Sequence, residues 1–247
     1  MDRTAEEKTL DDIIEANSNS SRNVVFCPYC LKYYYNNHKN FYEENNLMKC
    51  CYCEKEIYVP PKIELDDNWQ IWLPIFKNTT LFHTTDRKNV DSIKKYGGLY
   101  SWKYLYDNNI DIAKPGSNTL SRNLDTKKGL ENYVRLSFSK DTPMNHIAKR
   151  EGRIQNPVYY KINPLVILFK GTKFSNINAT DNNASIGDDI WDFFKIDIQV
   201  ATSGKFTNEH EKKLLQAEVL VKTHIPISLM EDDNNISQDI EDDDLPF

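Results

Sequence analysis

Every cysteine of the chain falls between positions 27 and 53, in the runs CPYC and CCYC. That clustering limits what the N-terminal part can become. Without a visible secretory signal, thiols gathered this way argue for metal rather than disulfides. Cys27 and Cys30 form one pair with a two-residue gap, and Cys50 and Cys53 form the other. Each pair suits a knuckle that presents two thiolates to one tetrahedral Zn2+. Cys51 can replace Cys50 only by giving up that gap, so it reads as a bystander. A redox pair or chance clustering are the alternatives. A closed four-thiolate site has no open coordination position, so the expected role of the metal is to fold a small zinc ribbon over residues 23–62. Half of the chain's 14 tyrosines lie in this stretch. They either pack around the knuckles or, beside Lys32, His38 and Lys39, offer a stacking surface for unpaired bases.

The 247 residues suit one large domain plus such a module. No run approaches the length of a membrane span, so no membrane partner is expected. The opening residues 1–22 are charged and lack an apolar signal core, which makes a flexible segment in a cytoplasmic protein the expectation. The net charge of −6 is concentrated at the other end: residues 231–247 carry eight acidic and no basic residues. The rest of the chain holds 31 basic residues against 29 acidic ones. Residues 231–247 are therefore expected to be a disordered acidic tail. Its charge does not exclude a nucleic-acid partner, because a local basic groove suffices.

After an expected linker at 63–78, residues 79–230 read as mixed α and β. TLFHTT, YVRLSF, VYYKI, VILF and LLQAEVLV have strand patterns, and RKNVDSIKKYGG reads as a helix ended by its glycines. PMNHIAKREG suggests a short helix, and IGDDIWDFFKIDIQV a longer one with Trp191, Phe194 and Ile198 aligned. Residues 118–132 are polar and read as loop. No βαβ rhythm and no phosphate-binding glycine motif is present, so the expectation is an α+β fold with a mostly antiparallel sheet. In LLQAEVLV, strand alternation places Gln216 and Glu218 on one face, in apolar surroundings. An edge strand facing solvent is one explanation, and a catalytic strand the other.

LFHTTDRKNVDSIKKYGGLYS, YVRLSFSKDTPM, FSNINATDNNAS and QAEVLV, in that order, resemble the motifs of DarT-type nucleic-acid ADP-ribosyltransferases. The first carries His83, Asn89, Ile93, Gly97, Leu99 and Ser101 in register with the family pattern. Two departures stand out. Lys140–Asp141–Thr142 lacks the arginine that the pattern has before Pro-Met, and the cysteine module is not part of the pattern.

The resemblance implies a split-sheet ADP-ribosyltransferase core and NAD as substrate. It implies transfer of ADP-ribose to a base of single-stranded DNA or RNA by a bacterial toxin, paired with an antitoxin or serving phage defence. Glu218 then stabilises the oxocarbenium-like ribose or takes a proton from the acceptor, and Gln216 addresses the acceptor. His83 meets the adenosine-side ribose and the Thr84 backbone the nicotinamide amide, with Thr85, Asn89 and Ser101 completing the NAD-binding set. Arg122 clamps the pyrophosphate or orients the acceptor, with Arg135 as its competitor. Lys205, Lys212 and Lys213, in a target-recognition turn over 203–213, and Lys149, Arg150 and Arg153 are the candidate nucleic-acid contacts. A protein side chain as acceptor, or a non-enzymatic zinc-ribbon binding protein, are the competing functions.

Overall fold

The computed structural model describes residues 24–30, 32–35, 41–42, 47–50 and 52–233. The expected flexible segment at 1–22, Cys51 and most of the acidic tail lie outside the described residues.

Seven strands form one sheet in the order Ile186–Gly187, Lys173–Ser175, Glu218–Lys222, Tyr133–Ser137, Leu81–Asp86, Pro157–Ile162, Met230–Asp232. All of its pairings are antiparallel. The alternation in YVRLS holds: Val134 and Leu136 are buried, while Tyr133, Arg135 and Ser137 face the other side. The two central strands, Tyr133–Ser137 and Leu81–Asp86, meet at the single pair Phe82–Ser137. The sheet is split there, and residues of both strands line the gap.

The helices Trp69–Phe76 and Val90–Tyr96 turn apolar residues into the main core. Val90–Tyr96 stops at Gly97, which takes the left-handed conformation that glycine tolerates best (φ 74°). Gly98 packs so closely against the Ile225 carbonyl that no side chain fits.

Five expectations about local structure change. The linker at 63–78 contains the helix Trp69–Phe76, whose Trp72 and Phe76 enter the main core. Phe76 stacks on Phe174 at 5.9 Å and meets Phe193 edge-on at 4.7 Å. Residues 118–132 are not loop: Thr119–Lys128 is helical, capped by the Asn118 side chain and ended by Gly129 at φ 66°. VILF is not a strand: Pro164–Leu168 forms a buried 3-10 turn that begins at a proline. The long helix over 186–200 is two short ones, Ile190–Phe193 and Ile198–Ser203, each started by an aspartate cap. Trp191 and Phe194 consequently lie on the surface, 71% and 55% exposed. LLQAEVLV is extended only from Glu218, because Leu214 ends the helix Glu209–Leu214 and Gln216 sits in the turn after it.

The first residues of the expected disordered tail are ordered. Glu231 and Asp232 belong to the edge strand that pairs with Tyr160 and Lys161. Charged residues are well suited to such an edge.

The cysteine module adds a three-strand sheet of Phe41–Tyr42, Leu47–Lys49 and Glu56–Tyr58 and the hairpin Val24–Phe26 with Tyr33–Tyr35. Tyr58 leaves the module and packs edge-on against Tyr96 and Tyr100. Its hydroxyl bonds that of Tyr104 at 2.7 Å.

Candidate active site

At the split, an open cleft of about 330 Å³ is lined by His83, Thr84, Arg122, Asp125, Arg135 and Glu218, among others. Register explains how the last two meet. Arg135 lies opposite Leu220 in the paired strands, so Glu218, two residues along, is its diagonal neighbour on the same face. The Arg135 Nη1 donates to Glu218 Oε2 at 2.7 Å. The same oxygen accepts the Ala179 backbone N–H at 2.8 Å, from the loop that follows Lys173–Ser175. The other Arg135 nitrogen, Nη2, donates to Asp125 Oδ1, and Trp102 Nε1 donates to Asp125 Oδ2 at 3.2 Å.

The charges support one another. Burial works against the Arg135 guanidinium, but Glu218 and Asp125 more than offset it and raise its pKa. Burial pushes the Asp125 carboxyl up, and Arg135 draws it back only in part. A guanidinium held between two carboxylates is fixed in orientation, and it fixes Glu218 in turn.

His83 stands on the opposite side of the split. Its Nδ1 donates to the Arg135 carbonyl at 3.1 Å. Burial lowers the imidazole pKa, with that carbonyl acting in the opposite direction. The ring is therefore neutral at pH 7, and Nε2 is left as an acceptor.

Each expected site residue can now be placed. His83, Thr84, Thr85, Asn89, Ser101, Arg122 and Glu218 share the cleft. Several are already engaged by the protein. Asn89 donates to Thr85 Oγ1 and to the Lys114 carbonyl, and accepts the Lys114 N–H. Ser101 caps the helix Trp102–Asp107. These two shape the cleft wall. Thr84 Oγ1 accepts from Asn145 at 2.8 Å. Arg122 comes from the helix Thr119–Lys128, its Nε on Ser117 Oγ at 3.1 Å and its guanidinium over the Trp102 ring.

Gln216 is separated from Glu218. Its side chain donates to the Lys212 carbonyl, and it lines a neighbouring cavity of about 310 Å³ with Lys212 and Lys213. Met144, Asn178 and Thr180 line both cavities, so the two are contiguous. Lys212 pairs with Glu209 and Lys213 with Asp181. Lys205 and Arg150 are exposed and line neither cavity, and Lys149 is bonded to the Tyr159 hydroxyl at 2.7 Å. Arg153 does reach the cleft, held by Glu151 and the Gly116 carbonyl.

Three residues escaped the sequence reading. Asp125 belongs to the helix that replaces the expected loop, and Asn118 and Gly129 bracket that helix with an N-cap and a C-terminal glycine. Once the helix is drawn, Arg122 and Asp125 lie three residues apart on one face. Trp102 and Asn145 carry no sequence signal that distinguishes them from core or surface residues.

In the cysteine module, the Sγ atoms of Cys27, Cys30, Cys50 and Cys53 all lie within 4.8 Å of one another. Cys27–Cys53 and Cys30–Cys50 are 3.6 and 3.7 Å apart. Four thiolates at about 2.3 Å from a zinc ion stand about 3.8 Å from each other, so the residues fit the metal.

A split antiparallel sheet with charged groups on both sides of an open cleft is compatible with an ADP-ribosyltransferase core. The family model for DarT, the ssDNA thymidine ADP-ribosyltransferase, matches residues 82–238, and the chain belongs to this family of NAD-dependent enzymes. Thermus sp. 2.9 DarT in complex with ADP-ribosylated ssDNA is similar at a TM-score of 0.52 and 15% identity, over 62% of this chain and 79% of that one. Thermosipho africanus DarTG in complex with ADP-ribose is similar at a TM-score of 0.53 and 18% identity, over 66% of this chain and 47% of that one. This chain thus matches about half the length of DarTG. No curated protein matches the sequence. Among the described residues, no helix is long and apolar enough to cross a membrane.

Proposed function

We propose that the chain moves ADP-ribose from NAD to thymidine in single-stranded DNA, with Glu218 as the catalytic carboxylate. The observation that carries this reading is Glu218 itself, fixed by Arg135 and the Ala179 amide at the cleft. In the reaction the bond between ribose C1′ and the nicotinamide nitrogen breaks, and nicotinamide leaves with the electron pair. Positive charge develops on the ribose, where a preorganised carboxylate stabilises it. The thymine ring nitrogen that carries a proton bonds to C1′, and Glu218 accepts that proton. His83 Nε2 accepts a hydrogen bond from a ribose hydroxyl of NAD, and the Thr84 backbone holds the nicotinamide amide. Arg122, on the cleft wall, pairs with the pyrophosphate.

The acceptor base enters through the cavity of Gln216, Lys212 and Lys213, which adjoins the NAD cleft. A base must be unpaired to reach it. Cys27, Cys30, Cys50 and Cys53 hold a structural Zn2+ that folds the ribbon and takes no part in the chemistry. An enzyme that modifies DNA bases from NAD suits a toxin held in check by an antitoxin, and this is the biological role we assign. Incubation with labelled NAD and separate pools of single-stranded DNA, RNA and protein tests the reading. Label is expected on thymidine-containing DNA; label confined to RNA or protein overturns it.

A further inference from the structure

The two cysteine knuckles are built alike. In each, a tyrosine follows the first cysteine by two positions and a lysine follows the second by two: Tyr29 and Lys32 in one, Tyr52 and Lys55 in the other. Each knuckle is closed by the same backbone bond, Cys27 N–H to the Lys32 carbonyl and Cys50 N–H to the Lys55 carbonyl, both 2.9 Å. The side chains cross over. Lys32 Nζ lies 4.4 Å from the Tyr52 ring centre, and Lys55 Nζ lies 4.6 Å from that of Tyr29. Both rings remain on the surface, 42% exposed for Tyr29 and 55% for Tyr52.

We propose that this face of the metal module is a second binding surface for the single-stranded DNA whose base is modified in the cleft. A strand repeats one flat base and one phosphate per nucleotide. The knuckles repeat one exposed ring and one ammonium, and stacking plus phosphate contact is the usual grip on an unpaired strand. The surface is tied to the cleft. The strand that follows the second knuckle ends in Tyr58, which packs on Tyr96 and Tyr100, and those two rings also line the cleft. The module that carries the knuckles is thereby packed against residues of the cleft wall. The family match starts at residue 82, so it does not cover the module. The proposal rests on the reading of the chain as a single-stranded-DNA enzyme.

The test measures fluorescence anisotropy of labelled oligothymidylate with the full chain, without NAD, beside modification of the same oligonucleotide with NAD. The pair Tyr29→Ala with Tyr52→Ala is expected to weaken binding about tenfold per ring. Zinc content and NAD affinity should stay as in the intact chain. Lys32→Gln with Lys55→Gln is expected to flatten the dependence of log affinity on log salt by about 0.7 per lysine. If the tyrosine variant binds as tightly as the intact chain while both modify DNA, the proposal is overturned and the proposed function stands. If that variant loses zinc, the lysine variant decides, and an unchanged salt slope overturns the proposal. If the intact chain neither binds nor modifies the oligonucleotide, both readings are overturned.

Discussion

Arg135 Nη1 and Glu218 Oε2 meet at 2.7 Å across neighbouring antiparallel strands, and the same carboxylate oxygen receives the Ala179 N–H. Glu218 therefore arrives at the cleft already oriented. Glu218→Gln preserves the shape and an acceptor oxygen but removes the charge. It is expected to lower kcat by about a hundredfold to a thousandfold, while NAD affinity measured by calorimetry stays within a few-fold. A variant that keeps near-normal turnover would exclude the carboxylate from the chemistry.

Asp125 supports this arrangement from behind. It is buried and takes hydrogen bonds from Arg135 and Trp102. Asp125→Ala leaves a half-paired guanidinium in the cleft wall, a change that costs about 3 kcal/mol in comparable sites. Urea unfolding should show that loss. Turnover should fall as well, because Arg135 then has a second orientation available; unaltered stability and turnover would remove Asp125 from the network.

The helix at 69–76 makes a sharper stability prediction. Phe76 is 1% exposed between Phe174 and Phe193, whereas Ile71 on the same helix is 66% exposed. Phe76→Ala should cost about 4 kcal/mol, and Ile71→Ala close to nothing. A Phe76→Ala effect in thermal melts as small as that of Ile71→Ala would mean that this helix is a dispensable connection after all.

His224 provides a pH signature. Its ring is buried, stacked 5.5 Å from Tyr100, and Nε2 has no partner among the described residues. Burial pushes its pKa down to about 4. The unfolded chain takes up this proton near pH 6.5, so the stability tied to the neutral ring is complete above that pH. It is lost as pH falls toward 4, by about 1.4 kcal/mol per pH unit at the steepest. Melting temperature should decline across that window. His224→Phe, which keeps a flat ring against Tyr100 and cannot protonate, should flatten the decline. An equal decline in the variant would assign it to other groups.

The metal prediction is the simplest. Elemental analysis should find about one zinc per chain, and Cys27→Ser or Cys53→Ser should reduce it. Cys51→Ser should leave it intact, and metal lost only in that variant would reverse the assignment of ligands.

Much of this could be read from the residues, and what could not has physical causes. Alternation in YVRLS and the glycine stop after Tyr96 are local rules, and both hold. Glu218 was visible because a carboxylate in apolar surroundings needs a partner. Which partner it has depends on strand register, and that is set by pairing between residues far apart in sequence. Gln216 leaves the expected strand face for a related reason. The pattern of LLQAEVLV is as apolar as a strand, but the preceding helix runs through Leu214 and delays the extended backbone to Glu218. The helix at 119–128 has no apolar stripe, so only its caps announce it.

Arg135 has one further consequence. Its side chain grips the carboxylate on one side of the split sheet, and its main-chain carbonyl grips His83 on the other. One residue therefore serves as the common reference point for both halves. Glu218 and His83 are thus each one hydrogen bond away from the same residue. The spacing between Glu218 and His83 is carried through one amino acid, and it changes only if one of those two hydrogen bonds breaks.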